Sequence, residues 1–143
     1  MIESLLVVDD ENLFHLVFED ACSLLDITLQ LRSAHSSEEA EHLCQKWILG
    51  EARKPECIFV DVNMLGSSFD GIELVRRINE LYGNGVIIGI ISSSNDKREI
   101  EKAIQAGAQF WIVKSDDIEP RLLEFKADYE GYKNKTKPFR VYK

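Results

Sequence analysis

The sequence predicts a doubly wound α/β domain, a five-stranded parallel sheet with helices on both faces. Three observations predict it. Short apolar runs alternate regularly with stretches of helical periodicity. One run, "VIIGII" (Val86 to Ile91), is apolar throughout, as suits a central parallel strand covered on both faces. Several runs end abruptly in acids, hydroxyls or a lysine, the edge where open parallel sheets bind ligands.

The elements follow in order. "SLLVV" (Ser4 to Val8) is the first strand. Leu13, Phe14, Val17, Phe18, Ala21, Leu24 and Leu25 recur at spacings of three and four and mark a helix with one apolar face. Ile27, Leu29 and Leu31 alternate with polar residues, as in a half-buried strand near a sheet edge. Ser36 and Glu39 have capping-box spacing, and the helix they open is expected to bury Ala40, Leu43, Cys44, Trp47 and Ile48. "IFV" (Ile58 to Val60) is the third strand and ends in Asp61. Asp70 and Glu73 open a helix carrying Ile72, Leu74, Val75, Ile78 and Leu81, which "YGNG" stops. After "VIIGII", Asp96 and Glu99 cap a helix with Ile100, Ala103 and Ile104, closed by Gly107. "FWIV" (Phe110 to Val113) is the fifth strand. Leu122, Leu123, Phe125 and Tyr129 belong to a last helix, with Pro120 tolerated in its first turn. Regular alternation implies right-handed βαβ units. From Lys133 every charged residue is basic, so residues 1–132 are read as the domain and residues 133–143 as a basic tail or linker.

The totals agree with one domain. The chain has 143 residues, 45% hydrophobic and 29% charged, which suits a single globular core. A net charge of -8 disfavours non-specific binding to nucleic acid or anionic membranes. No apolar run is long enough to span a bilayer, and "MIESLLVVDDEN" lacks the basic start of a signal peptide. Cys22, Cys44 and Cys57 have no CxxC spacing and read as buried apolar residues, so a reducing cytoplasm is the expected compartment.

Asp9, Asp10 and Glu11 follow the first strand, Asp61 the third, Ser92 to Ser94 the fourth, and Lys114 and Ser115 the fifth. Singly, such acids read as a cap and solvated turn, such serines as a turn, and such a lysine as surface. Jointly they describe a phosphoryl site. Crowded carboxylates repel one another, and a hard cation such as Mg2+, which takes oxygen ligands, relieves that repulsion. A carboxylate can act as nucleophile and form an acyl phosphate, while a lysine and a hydroxyl contact phosphate oxygens.

With these residues in view, the chain resembles the receiver domains of two-component response regulators, the chemotaxis-regulator type included. The carriers are "LLVVDDE", "IFVDVNM", "FDGIELVRRI", "VIIGIISSS" and "AIQAGAQFWIVK", and the likeness runs from about Ile2 to Tyr132. It implies a flavodoxin-like (βα)5 fold with strand order 2-1-3-4-5. Asp61 then stands at the phospho-accepting position. Asp9 and Asp10 match the acidic pair that holds Mg2+ or Mn2+, with Asp61 and the backbone carbonyl of Asn63 completing the metal set. Ser92 occupies the switch hydroxyl's slot, Lys114 that of the lysine contacting the phosphoryl group, and Trp111 that of an aromatic that turns inward on activation. Trp111 reads equally as a packing residue of an apolar strand.

The resemblance implies a histidine kinase or histidine phosphotransfer protein as donor, and homodimerisation on phosphorylation. It implies a downstream protein contacted through the helix from Lys97 to Ala106, the fifth strand and the last helix. It implies no membrane insertion and no direct nucleic-acid binding. Two alternatives remain: a degenerate receiver acting as a phosphorylation-independent binding module, and a Mg2+-dependent aspartyl phosphatase. The phosphatase commonly needs a second acid two residues after the nucleophile, where this chain has Asn63. The chain departs from the pattern in "VNMLGSSFDG", which is longer than usual and lacks a proline after Met64, and at Ser115, which replaces a proline. A trans Lys114–Ser115 bond is therefore expected.

Overall fold

The computed structural model describes residues 1–115 and 117–143, with Asn84 described by its backbone only. Its elements are β1 (Ile2–Val8), α1 (Asn12–Leu24), β2 (Thr28–Ala34), α2 (Ser37–Ile48), β3 (Cys57–Val60), α3 (Gly71–Tyr82), β4 (Ile87–Ser92), α4 (Lys97–Ala106), β5 (Phe110–Val113), α5 (Glu119–Lys133) and β6 (Arg140–Tyr142). The sheet is parallel, in the order β2-β1-β3-β4-β5-β6. The five strands read from the sequence stand in the order 2-1-3-4-5, and a sixth is added at the β5 edge.

The helix starts follow from their caps. The Ser36 hydroxyl accepts from the Glu39 amide, Asp70 from that of Glu73, and Asp96 from those of Arg98 and Glu99. Each satisfies amide donors that have no partner within the helix. Gly107 closes α4 with a left-handed φ of 106°.

Strand alternation divides the core in two. Leu6, Val8, Ile58, Val60, Ile88, Ile90 and Trp111 face α2, α3 and α4. Leu5, Val7, Cys57, Phe59, Ile87, Ile91, Phe110 and Ile112 face α1 and α5. On the second face Phe59, Phe110 and Phe125 pack with ring centroids 4.5–5.1 Å apart. Gly89 makes room for them, since a Cβ there would stand 2.4 Å from the Phe110 ring. Gly89→Ala is expected to cost about 1–3 kcal/mol by overpacking, read as a lower urea midpoint at unchanged slope.

Two helix faces differ from the sequence reading. In α1 the buried residues are His15, Phe18, Ala21 and Cys22, while Leu13, Val17 and Leu24 are exposed. In α2 the buried stripe is Ala40, Cys44 and Trp47, Leu43 is half-buried, and Ile48 faces solvent. The reason is phase. Apolar residues on these helices extend beyond the sector that meets the sheet, so periodicity alone placed the stripe too wide. Leu81, Ile104 and Leu123 are exposed for the same reason.

The basic tail is also corrected, because residues 140–142 belong to the sheet. Phe110, Trp111 and Ile112 lie opposite Arg140, Val141 and Tyr142. Tyr142 is fully buried, and its hydroxyl pairs with that of Tyr132 at 2.8 Å and donates to Asp128 at 2.7 Å. Two of the basic residues meet acids on α5: Arg140 bonds Asp128 and Glu124, and Lys137 lies 3.4 Å from Asp128. No helix among the described residues is long and apolar enough to cross a membrane.

Candidate phosphoryl-acceptor site

The site lies at the carboxyl ends of β1, β3, β4 and β5, and backbone bonds to neighbouring strands fix its members. The Asp9 amide donates to the Ala34 carbonyl at 3.0 Å, the Asp61 amide to Val8 at 2.9 Å, and the Lys114 amide to Ser92 at 2.8 Å. Asp9, Asp61 and Lys114 are thus each anchored by a ladder bond just past an apolar strand. That explains why "IFV" drives into an acid.

The side chains converge. One carboxylate oxygen each from Asp9, Asp10 and Asp61 lies within 4.8 Å of the others. Lys114 Nζ is 2.5 Å from Asp9 Oδ2 and 3.5 Å from Asp61 Oδ2. Asp9 and Asp61 are buried, and Asp10 is half-buried. Burial pushes the Asp61 carboxyl up to about 7. The Lys114 ammonium opposes the rise, and the charges of Asp9 and Asp10 add to it. Three carboxylates against one ammonium leave excess negative charge in a desolvated pocket. An all-oxygen donor set with that excess fits a hard divalent cation, and Asp9, Asp10 and Asp61 are the side chains that would hold it.

Several contacts here carried no signal in the sequence. The Leu65 amide donates to Asp10 Oδ2 at 2.9 Å, so the long loop after β3 reaches back over the acids. Its far end is tied to α2: Ser37 bonds the Ser67 hydroxyl and the Phe69 carbonyl, and the Ser68 amide bonds Glu38. Lys114 Nζ stands 4.2 Å from the centroid of the Phe14 ring, whose π-face restrains the ammonium. His15 Nε2 is 2.7 Å from the Asp9 carbonyl, and its ring lies 4.3 Å from that of His35. These contacts use a backbone amide, a ring face, and a histidine without ligand spacing.

Ser92 is buried, and its hydroxyl accepts from the Ser94 amide at 3.2 Å. Trp111 is fully buried in this arrangement, with Nε1 donating to the Ser94 carbonyl at 2.9 Å. The inward turn expected of this aromatic therefore has no outward starting point here. The Asn63 side chain is exposed. The Lys114–Ser115 bond is trans, as expected, and the structure has no cis peptide among its described residues.

Comparison with known proteins agrees with this geometry. The model of the response regulator receiver domain family matches residues 5–124. A search of curated proteins found no match. Among solved structures, a receiver domain protein of Methanospirillum hungatei superposes with a TM-score of 0.75 at 15% identity, over 94% of this chain and 99% of that one. The phosphorylated cyanobacterial phytochrome response regulator RcpA gives 0.74 at 16% identity, over 94% and 96%. NtrX from Brucella abortus gives 0.71 at 24% identity, over 94% of this chain, which spans only 29% of the NtrX chain. These likenesses show the fold. The family match covers most of the chain, including Asp9, Asp10, Asp61 and Lys114, and the chain belongs to the response regulator receiver domain family.

Proposed function

We propose that Asp61 accepts a phosphoryl group and that the chain is the phosphorylated switch of a two-component system. The observation that carries this is the Lys114 ammonium lying between Asp9 and Asp61, with Asp10 completing a cluster of three carboxylates. In the proposed step an Asp61 carboxylate oxygen attacks phosphorus. The bond from phosphorus to the donor atom breaks, and the donor leaves with its electron pair. Mg2+ or Mn2+ on Asp9, Asp10, Asp61 and the Asn63 carbonyl supplies charge neutralisation when bound. Lys114 neutralises the phosphoryl oxygens, and the Ser92 hydroxyl moves from the Ser94 amide to donate to one of them. The switch is a population shift toward the arrangement that makes these contacts.

The donor on this reading is a histidine kinase or histidine phosphotransfer protein in the cytoplasm. The output passes through α4, β5 and α5 to a downstream protein or a second copy. The role is that of a signalling domain rather than a turnover enzyme. Intact mass after incubation with Mg2+ and acetyl phosphate tests the proposal. Wild type is expected to gain one phosphoryl group with release of acetate, and Asp61→Asn none. No gain in wild type would instead favour a phosphorylation-independent binding module, and sustained turnover of phosphate esters would favour a phosphatase.

A further inference from the structure

The geometry points to the C-terminal strand β6 as the part that moves: a detachable cover over β5 whose docking is loosened when Asp61 is phosphorylated. This rests on the phosphoryl-acceptor reading of the site.

The first support is how β6 is held. It is three residues long and pairs on one side only, at the sheet edge. Successive residues alternate between faces. Phe139 and Val141 pack, half-buried, on the cluster that contains Trp111, while Arg140 and Tyr142 point toward α5. One residue, Tyr142, is a buried anchor. Most of its polar attachment converges on Asp128, whose Oδ2 accepts from both Arg140 and the Tyr142 hydroxyl and whose Oδ1 faces Lys137, with Glu124 and the Tyr132 hydroxyl as the further partners of Arg140 and Tyr142. Short edge pairing, half-exposed apolar residues and surface ion pairs mark a segment at the low-stability end of a fold.

The second support is a continuous route from the site to this strand. Ser92 bonds the Ser94 amide, and the Ser94 carbonyl accepts the indole N–H of Trp111. Trp111 lies opposite Val141 in the β5–β6 register. The Ser94 hydroxyl also donates to Glu99 in α4 and accepts from the Asp96 amide that begins its cap. Ser94 is thus the junction of the serine loop, α4 and Trp111. Moving the Ser92 hydroxyl onto a phosphoryl oxygen frees the Ser94 amide. The Ser94 carbonyl that accepts from the indole then loses one of the restraints on its loop, on the face where Phe139 and Val141 rest. Closed, β6 covers the backbone edge of β5. Open, it uncovers an unpaired strand edge, a ready surface for another chain.

Hydrogen exchange on the full chain tests this, with intact mass read on the same samples. With Mg2+ and acetyl phosphate, peptides spanning 110–113 and 139–142 are expected to exchange about tenfold faster than without donor, and Asp61→Asn is expected to show no change. Phosphoryl gain with unchanged or slower exchange in both peptides overturns the cover and leaves the acceptor reading standing. Absence of phosphoryl gain overturns both. Linkage supplies an independent arm. If occupation of the site loosens β6, then loosening β6 must tighten binding at the site by the same factor. Asp128→Asn, which weakens the attachment of Arg140 and Tyr142, is expected to bind beryllofluoride with Mg2+ several-fold more tightly. Equal or weaker binding, with faster exchange at 110–113 proving the strand loosened, would refute the coupling.

Discussion

Gly71→Ala is expected to destabilise the chain by about 3 kcal/mol or more and to disable Asp61 in whatever remains folded. Gly71 is the first residue of α3, and its amide donates to the Val62 carbonyl at 2.9 Å. A Cβ there would stand 1.9 Å from the Asp61 carbonyl oxygen, 2.7 Å from its carbonyl carbon and 2.9 Å from Val60 Cγ1. Backbone atoms cannot swing aside as a flexible side chain can. Either α3 moves off the sheet or the Asp61 backbone is displaced. Gly66→Ala is the informative control. Nothing lies within 4 Å of its Cβ position, and only its φ of 82° is strained, so a cost of about 1 kcal/mol is expected. Urea midpoints compare the two. Phosphoryl uptake at a temperature where circular dichroism shows Gly71→Ala still folded is expected to fall about a hundredfold, as for a misplaced reacting group. A Gly71→Ala chain as stable and as reactive as Gly66→Ala would mean that α3 does not press on the acceptor strand as described.

The same residue shows why much of the site was legible in the sequence. Asp61, Asp9, Asp10 and Lys114 each end an apolar run, and a parallel sheet brings strand ends to one edge, so their convergence follows from topology. Caps are equally local: Ser36, Asp70 and Asp96 bond amides two or three residues away. What escaped the reading depends on distant partners. The Leu65 amide finds Asp10 across 55 residues, and any residue but proline offers that donor. Tyr142 is a buried anchor because Tyr132 and Asp128 wait for it on α5, and basic residues between 133 and 140 look like a solvated tail until those acids are placed. On α1 the exposed Leu13, Val17 and Leu24 are chemically indistinguishable from core residues. A one-dimensional pattern cannot say where the covered sector ends.

Asp61→Asn is expected to raise the melting temperature of the metal-free chain by roughly 5–10 °C at pH 7.5 and to leave it unchanged near pH 4. The sign follows from the direction of the Asp61 shift. In the unfolded chain its carboxyl titrates near the ordinary value of 3.8, and in the folded chain burial raises it to about 7. Below the lower value both states are protonated, and the group contributes no difference. Between the two values the folded state holds a proton that the unfolded state has released, so stability falls as pH rises through that window. Above the upper value both are ionised, and the penalty of a buried, crowded carboxylate is full, on the order of 2–4 kcal/mol. Asparagine keeps the shape and removes the charge, and the gain should grow across the same window. Millimolar Mg2+ should raise the wild-type melting temperature at pH 7.5 by neutralising the same excess charge, and should raise that of Asp61→Asn less. Melts at pH 4, 5.5 and 7.5 in EDTA decide the matter: a gain equal at all three values, or a loss at pH 7.5, would show that Asp61 carries no electrostatic strain. That strain has a use. The carboxylate that destabilises the metal-free fold is the one proposed to take the cation and the phosphoryl group, so on that proposal occupation of the site is favoured by relief of charge already stored in it.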